Sequence, residues 1–90
     1  MLDKIKLALR ITTAAFDTEI EDLIAAALAD LGLAGIAKLD ETDPLILRAV
    51  TTYCRANFGS PDDYDRLKAA YDEQKAQLQV ATGYTDWGTT

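Results

Sequence analysis

An all-α fold, a small bundle of about four helices with a flexible C-terminal tail, is what three features of this 90-residue sequence predict. Apolar residues recur at steps of three and four over most of the chain, the period that gathers them on one side of a helix. Near the centre, Asp43-Pro44 writes a helix start, and Phe58-Gly59-Ser60-Pro61 writes a stop followed at once by another start. Asp is a good N-cap, Pro suits the first helical position, Gly takes the left-handed conformation that ends a helix, and Ser with Pro caps and opens the next. The composition, 49% hydrophobic and 27% charged with two prolines and five glycines, is that of a folded chain.

Leu2, Ile5 and Leu9 set a short first helix over residues 2–10. Thr12 and Thr13, β-branched and able to cap, separate it from a stronger pattern: Phe16, Ile20, Leu23, Ile24, Ala27, Leu28 and Leu31 predict a second helix over 14–31. Asp17, Glu19, Glu21 and Asp22 crowd its positive end, and Gly32 reads as its stop. The period lapses from Leu33 to Thr42, a connection in which Leu33, Ile36 and Leu39 are apolar enough either to pack onto the same chain, the favoured reading, or to form a surface for a neighbouring subunit. The third helix, 44–58, carries Leu45, Ile46, Leu47, Val50, Tyr53, Cys54 and Phe58 in a band broad enough to be buried on more than one side, which makes it the central helix. In the fourth, 61–81, Tyr64, Leu67, Tyr71 and Leu78 form a narrow stripe, as expected of a helix leaning on one neighbour. Residues 1–82 therefore read as a single domain and 83–90 as a tail.

A chain of this length buries only about 60–65% of the surface it exposes when unfolded, so size alone favours partners. Nine basic and fifteen acidic side chains give a net charge of -6, which argues against a sequence-reading nucleic-acid binder. Lys4, Lys6 and Arg10 against Asp3 make the first ten residues net +2 and leave -8 for the rest, an asymmetry that bears on association more than on fold. With one cysteine and no histidine, neither an internal disulfide nor a Cys/His zinc site can form, and a reducing compartment suits the chain. A hydrolase triad lacks its base, and no glycine-rich phosphate loop is present. Asp17 with Glu21, or Asp62 with Asp65, share a helical face and have the chemistry for Mg2+ or acid-base work, but the helix dipole already accounts for carboxylates in first turns. The expectation is a protein that is not an enzyme and has no cofactor. The first residues lack the apolar run of a signal peptide and no later segment approaches a membrane span, so a cytosolic, membrane-free protein is expected.

Cys54, inside the apolar band, reads as a small buried hydrophobe and not a nucleophile. Tyr53, Phe58, Tyr64 and Tyr71 read as core, Tyr64 and Tyr71 lying nearest an interface. Tyr84 and Trp87 stand in a tail without helical pattern, where aromatics either anchor another protein or fold back onto the domain.

Three segments carry a resemblance: Leu7-Ala8-Leu9-Arg10-Ile11-Thr12-Thr13 running into Phe16-Asp17; Ile20-Glu21-Asp22-Leu23-Ile24 with Ala29-Asp30-Leu31-Gly32; and Ala56-Asn57-Phe58-Gly59-Ser60-Pro61-Asp62. In this order and spacing they resemble the head-tail connector, or adaptor, family of long-tailed bacteriophages, up to about Leu78 but excluding residues 33–43. The resemblance implies an all-α structural subunit that forms a homo-oligomeric ring, a dodecamer, beneath the portal protein after DNA packaging. Such a ring extends the DNA channel, lets DNA pass without sequence-specific binding, and offers a docking surface to a tail-joining or head completion protein. It implies a place at the head-tail junction of the virion, and in the host cytoplasm before assembly. Portal contacts in the family involve the C-terminal part, which points to Leu78, Tyr84 and Trp87. The residues alone leave a second reading open, a small acidic helical binding module of the antitoxin or DNA-mimic type.

Overall fold

A computed structural model describes residues 1–59 and 61–81; Ser60 and the tail aromatics Tyr84 and Trp87 lie outside the described residues. Four helices follow in chain order: α1 (Leu2–Leu9), α2 (Asp17–Leu33), α3 (Pro44–Asn57) and α4 (Tyr64–Val80). The fold is the all-α bundle that the apolar period predicts. α3 packs against each of the other three, and α1 also packs on α2.

The core forms where the four apolar stripes meet. Ile5 of α1, Ile20, Ile24 and Leu31 of α2, Ile46, Val50 and Cys54 of α3, and Tyr71 and Leu78 of α4 are all buried, and Ile36 from the α2–α3 connection joins them. Each large aliphatic side chain removed from water contributes about 1.5–3 kcal/mol, well above the few tenths that separate residues by helix propensity. Core packing therefore decides where the helices lie. α3 is buried on two sides, which explains its broad band, whereas α4 buries only Tyr71 and Leu78 fully.

Three boundaries differ from the sequence expectation by two residues or more, and α1, α3 and α4 each end one residue earlier than expected. α2 runs through Gly32 to Leu33 and closes one turn later, where Gly35 adopts φ 92°, its N–H donates to the Gly32 carbonyl (3.0 Å), and the Ile36 N–H donates to the Leu31 carbonyl (3.1 Å). This is a Schellman closure, and burial of Ile36 beside Leu31 seals it. α2 also begins at Asp17, with Phe16 as N-cap, because residues 14–16 form a turn in which Asp17 N–H donates to the Ala14 carbonyl (3.2 Å). α4 begins at Tyr64 and not at Pro61, because a turn through Asp62 and Asp63 intervenes and Asp63 is the N-cap residue.

Other individual expectations divide. Ile36 and Leu39 pack inward, but Leu33 is 89% exposed. Phe16 stands 44% exposed and meets the Phe58 ring edge-on at 5.5 Å. Tyr71 is core, Tyr53 and Phe58 pack against the core, and Tyr64 is largely exposed.

Candidate functional site

Asp43, Pro44, Phe58 and Gly59 of the helix corner stand at the two ends of α3, whereas Pro61 precedes α4 without opening it. The Asp43 carboxylate accepts hydrogen bonds from the N–H groups of Leu45 (2.8 Å) and Ile46 (3.4 Å), Pro44 occupies the first helical position, and Lys38 pairs with the second oxygen at 3.1 Å. Upstream, Asp40 accepts from the Thr42 N–H (2.9 Å) and hydroxyl (2.7 Å), and the hydroxyl bond is the main reason its carboxyl sits below the usual range. At the other end of α3, Phe58 is the C-cap and Gly59 takes φ 70°, the left-handed conformation its position requires.

A polar knot ties α2 to α4. The Tyr71 hydroxyl donates to the Asp30 carboxylate, and Lys75 Nζ reaches the same oxygen at 3.1 Å while standing 5.2 Å from the centre of the Tyr71 ring. The Tyr71 hydrogen bond, outweighing partial burial and helped by Lys75, holds the Asp30 carboxyl below the usual range. Burial first, and Asp30 second, push the Tyr71 phenol well above its ordinary value. A cavity of about 190 Å³ opens beside the knot, floored by Tyr53 and Tyr71, whose rings meet at 5.2 Å, and rimmed by Tyr64, Lys68 and Asp72. Lys68 and Asp72 pair with each other across the rim at 3.3 Å.

The two ends of the bundle differ. At one, Arg55 of α3 donates to the Ala8 carbonyl (3.3 Å), Lys6 meets Asp17 at 2.7 Å, and Leu7 stands 79% exposed near basic Lys4 and Arg10. At the other, Gln79 donates to the Ala34 carbonyl (2.9 Å), which brings the C-terminal ends of α2 and α4 together. Leu33, Leu45 and Val80 are exposed there, at 89%, 47% and 84%. A groove of about 90 Å³ runs between the start of α3 and the end of α4, lined by Leu45, Arg48, Gln74, Gln77, Leu78 and Ala81. Leu78, expected at a portal contact, is only 2% exposed and forms the groove floor. Its side chain is committed to the core, so any contact here falls to the exposed residues around it.

Cys54 is buried, and desolvation pushes its thiol up to about 11, away from the reactive thiolate. Among the described residues no group of three or more His, Cys, Asp or Glu side chains is placed to hold a metal ion, and no helix is long and apolar enough to cross a membrane. Asp17, one of the carboxylates with metal-site spacing, is engaged by Lys6.

What the described residues do leave in water is a set of aliphatic side chains, Leu7 at one end of the bundle and Leu33, Leu45 and Val80 at the other. The family model for phage connector proteins matches residues 1–85. The chain belongs to the phage connector protein family. No curated protein and no solved structure matches it. For a connector, surfaces matter more than pockets, and sequence reading found only part of them. It missed the Asp30–Tyr71–Lys75 knot, whose members lie 41 and 45 residues apart, a separation at which no local pattern announces a contact. Burial of Tyr71 on the α4 stripe was the one available signal of a hydroxyl in need of a partner.

Proposed function

We propose that this connector assembles as a closed ring, a dodecamer, beneath the portal at the head-tail junction of the virion, where it extends the DNA channel and receives a tail-joining or head completion protein. The observation that carries this reading is the family match over residues 1–85, together with exposed aliphatic side chains at both ends of so small a bundle. Leu7 at one end and Leu33 and Val80 at the other are surfaces that a monomer leaves in water and an assembly covers. Docking on the portal falls to the end of α4 and to Tyr84 and Trp87 of the tail, the aromatic pair suited to anchoring another protein. A subunit charge of -6, repeated around the ring, keeps DNA from adhering to the wall it passes.

The test is a truncation after Thr82. The shortened chain is expected to keep its helical circular dichroism and to lose binding to purified portal in a sedimentation assay; undiminished binding would remove the tail from the docking surface. The alternative, a small acidic helical binding module of the antitoxin or DNA-mimic type, draws on the net charge of -6, although five of the fifteen carboxylates, Asp17, Asp30, Asp43, Asp63 and Asp72, pair with a Lys or Arg of the same chain.

A further inference from the structure

In a chain of net charge -6, most cations are already matched: Lys6, Lys38, Arg66, Lys68 and Lys75 each pair with a carboxylate. Lys4, Arg10, Arg48 and Arg55 have no carboxylate partner among the described residues, and three of these four gather at α1. Lys4 and Arg10 are exposed, and Arg55 reaches α1 at the Ala8 carbonyl. Between them Leu7 stands 79% exposed, three residues from Lys4 and three from Arg10; no other exposed aliphatic side chain has a cation at both those spacings. Arg10 also keeps φ 61°, a conformation that costs an L-residue, although its guanidinium meets no partner among the described residues. The outer face of α1 is thus an apolar knob set between free cations.

Its complement lies elsewhere on the same chain. The cavity of about 190 Å³ has the rings of Tyr53, Tyr64 and Tyr71 for its apolar part. A cavity of about 150 Å³ holds benzene, so a leucine side chain, two carbons smaller, finds room here. Asp62 and Asp65, which flank Tyr64, are exposed and meet no Lys or Arg among the described residues. Asp65 precedes Asp72 of the cavity rim by seven residues, two turns along one stripe of α4. Free carboxylates therefore stand beside the cavity as free cations stand beside Leu7. The two places face apart: Arg55 and Tyr53, two residues apart on α3, leave that helix about 200° from each other, one toward α1 and the other into the cavity. No α1 residue lines the cavity, so a knob and a cavity that meet belong to two copies joined head to tail, the contact that closes into a ring.

We infer that Leu7 of one subunit seats among Tyr53, Tyr64 and Tyr71 of the next, with Lys4 and Arg10 meeting Asp62 and Asp65. The inference rests on the ring reading and names the surfaces that make the ring.

The test mixes two full-length variants with portal and a short bismaleimide. Asp3→Cys lies one turn before Leu7 and Lys68→Cys on the cavity rim, both exposed, while native Cys54 is buried. Cross-linked heterodimers are expected several-fold faster than either homodimer and than the pair of Asp3→Cys with Val80→Cys. Adding Leu7→Asp, or Lys4→Glu with Arg10→Glu, to the Asp3→Cys chain should slow them several-fold. Asp62→Lys with Asp65→Lys on the other chain should then restore the rate for the charge-reversed pair alone. Far-UV circular dichroism selects the variants that keep their helices, and the comparison of heterodimer with homodimer needs none of the added substitutions. Heterodimers no faster than homodimers overturn the inference, as does a rate indifferent to the added substitutions in folded chains. Light scattering on the same mixture separates the two readings: a dozen subunits bound to portal without this cross-link overturns the contact and keeps the ring, whereas no bound subunits ends both.

Discussion

Asp43 shows how much one carboxylate can do at a helix start. It accepts two backbone N–H bonds, receives Lys38, and holds Pro44 in register for the central helix. Asp43→Ala is expected to cost about 1–2 kcal/mol, the range for a lost N-cap, seen as a thermal midpoint lower by roughly 4–15 °C for a domain of this size. Asp30 and Tyr71 make a second case, read through pH. The folded carboxyl of Asp30 is held below its ordinary value, so its contribution is present above about pH 4 and drains away as the pH falls through the folded value. For Tyr71 and Cys54 the shift is upward, so their contributions are whole below the unfolded values, 10.0 and 9.0, and fade as the pH rises beyond them. Urea midpoints measured against pH should fall on both flanks. Asp30→Asn should flatten the acid flank and Tyr71→Phe the part of the alkaline flank above pH 10, and profiles parallel to the parent would show that the knot does not couple to folding.

At the scale of elements, the helix ends are where physical rules and this sequence part company. α1 closes through a Schellman motif with Ile11 N–H on the Lys6 carbonyl (2.9 Å) and Arg10 N–H on the Leu7 carbonyl (3.1 Å), which sets Arg10, not a glycine, at φ 61°. That conformation costs an L-residue about 1–2 kcal/mol, so Arg10→Gly, despite loosening the unfolded chain, should raise stability by about 0.5–1 kcal/mol. Gly59, at φ 70°, is the mirror case: a Cβ would meet no atom within 4 Å, so Gly59→Ala should cost only the backbone strain, about 1 kcal/mol. Denaturant midpoints of the two variants should move in opposite directions. These ends also explain what was legible beforehand. Asp43-Pro44 and Gly59 were readable because cap and stop chemistry is local. Gly32 misled, because the exposed helix tolerates it and burial of Ile36, a tertiary event, placed the closure at Gly35 instead. Phe16 belongs to the α2 period yet stands half out of the core, because only its partner Phe58, 42 residues away, decides which way it faces.

For the whole molecule, extents of 46 × 25 × 18 Å describe an elongated slab, with Leu7, Leu33 and Val80 among its exposed large apolar side chains. The apolar periods revealed the bundle and the family pattern, but not which apolar residues the packing would leave outside, since Leu33 and Leu31 look alike in sequence and differ only in the direction they point. The assembly reading makes a prediction at this scale. Light scattering behind a sizing column should give a complex heavier than portal alone by about a dozen subunits of this chain. A species that stays monomeric with portal present would end the ring reading.

The two bonds that brace the ends of the bundle have an evolutionary meaning. Arg55 and Gln79 both donate to main-chain carbonyls, at Ala8 and Ala34, and a carbonyl is present whatever side chain stands there. Sequence drift along the outer faces of α1 and the end of α2 therefore leaves the braces intact, as long as the backbone keeps its path. Those outer surfaces can thus be rewritten residue by residue while the frame stays the same.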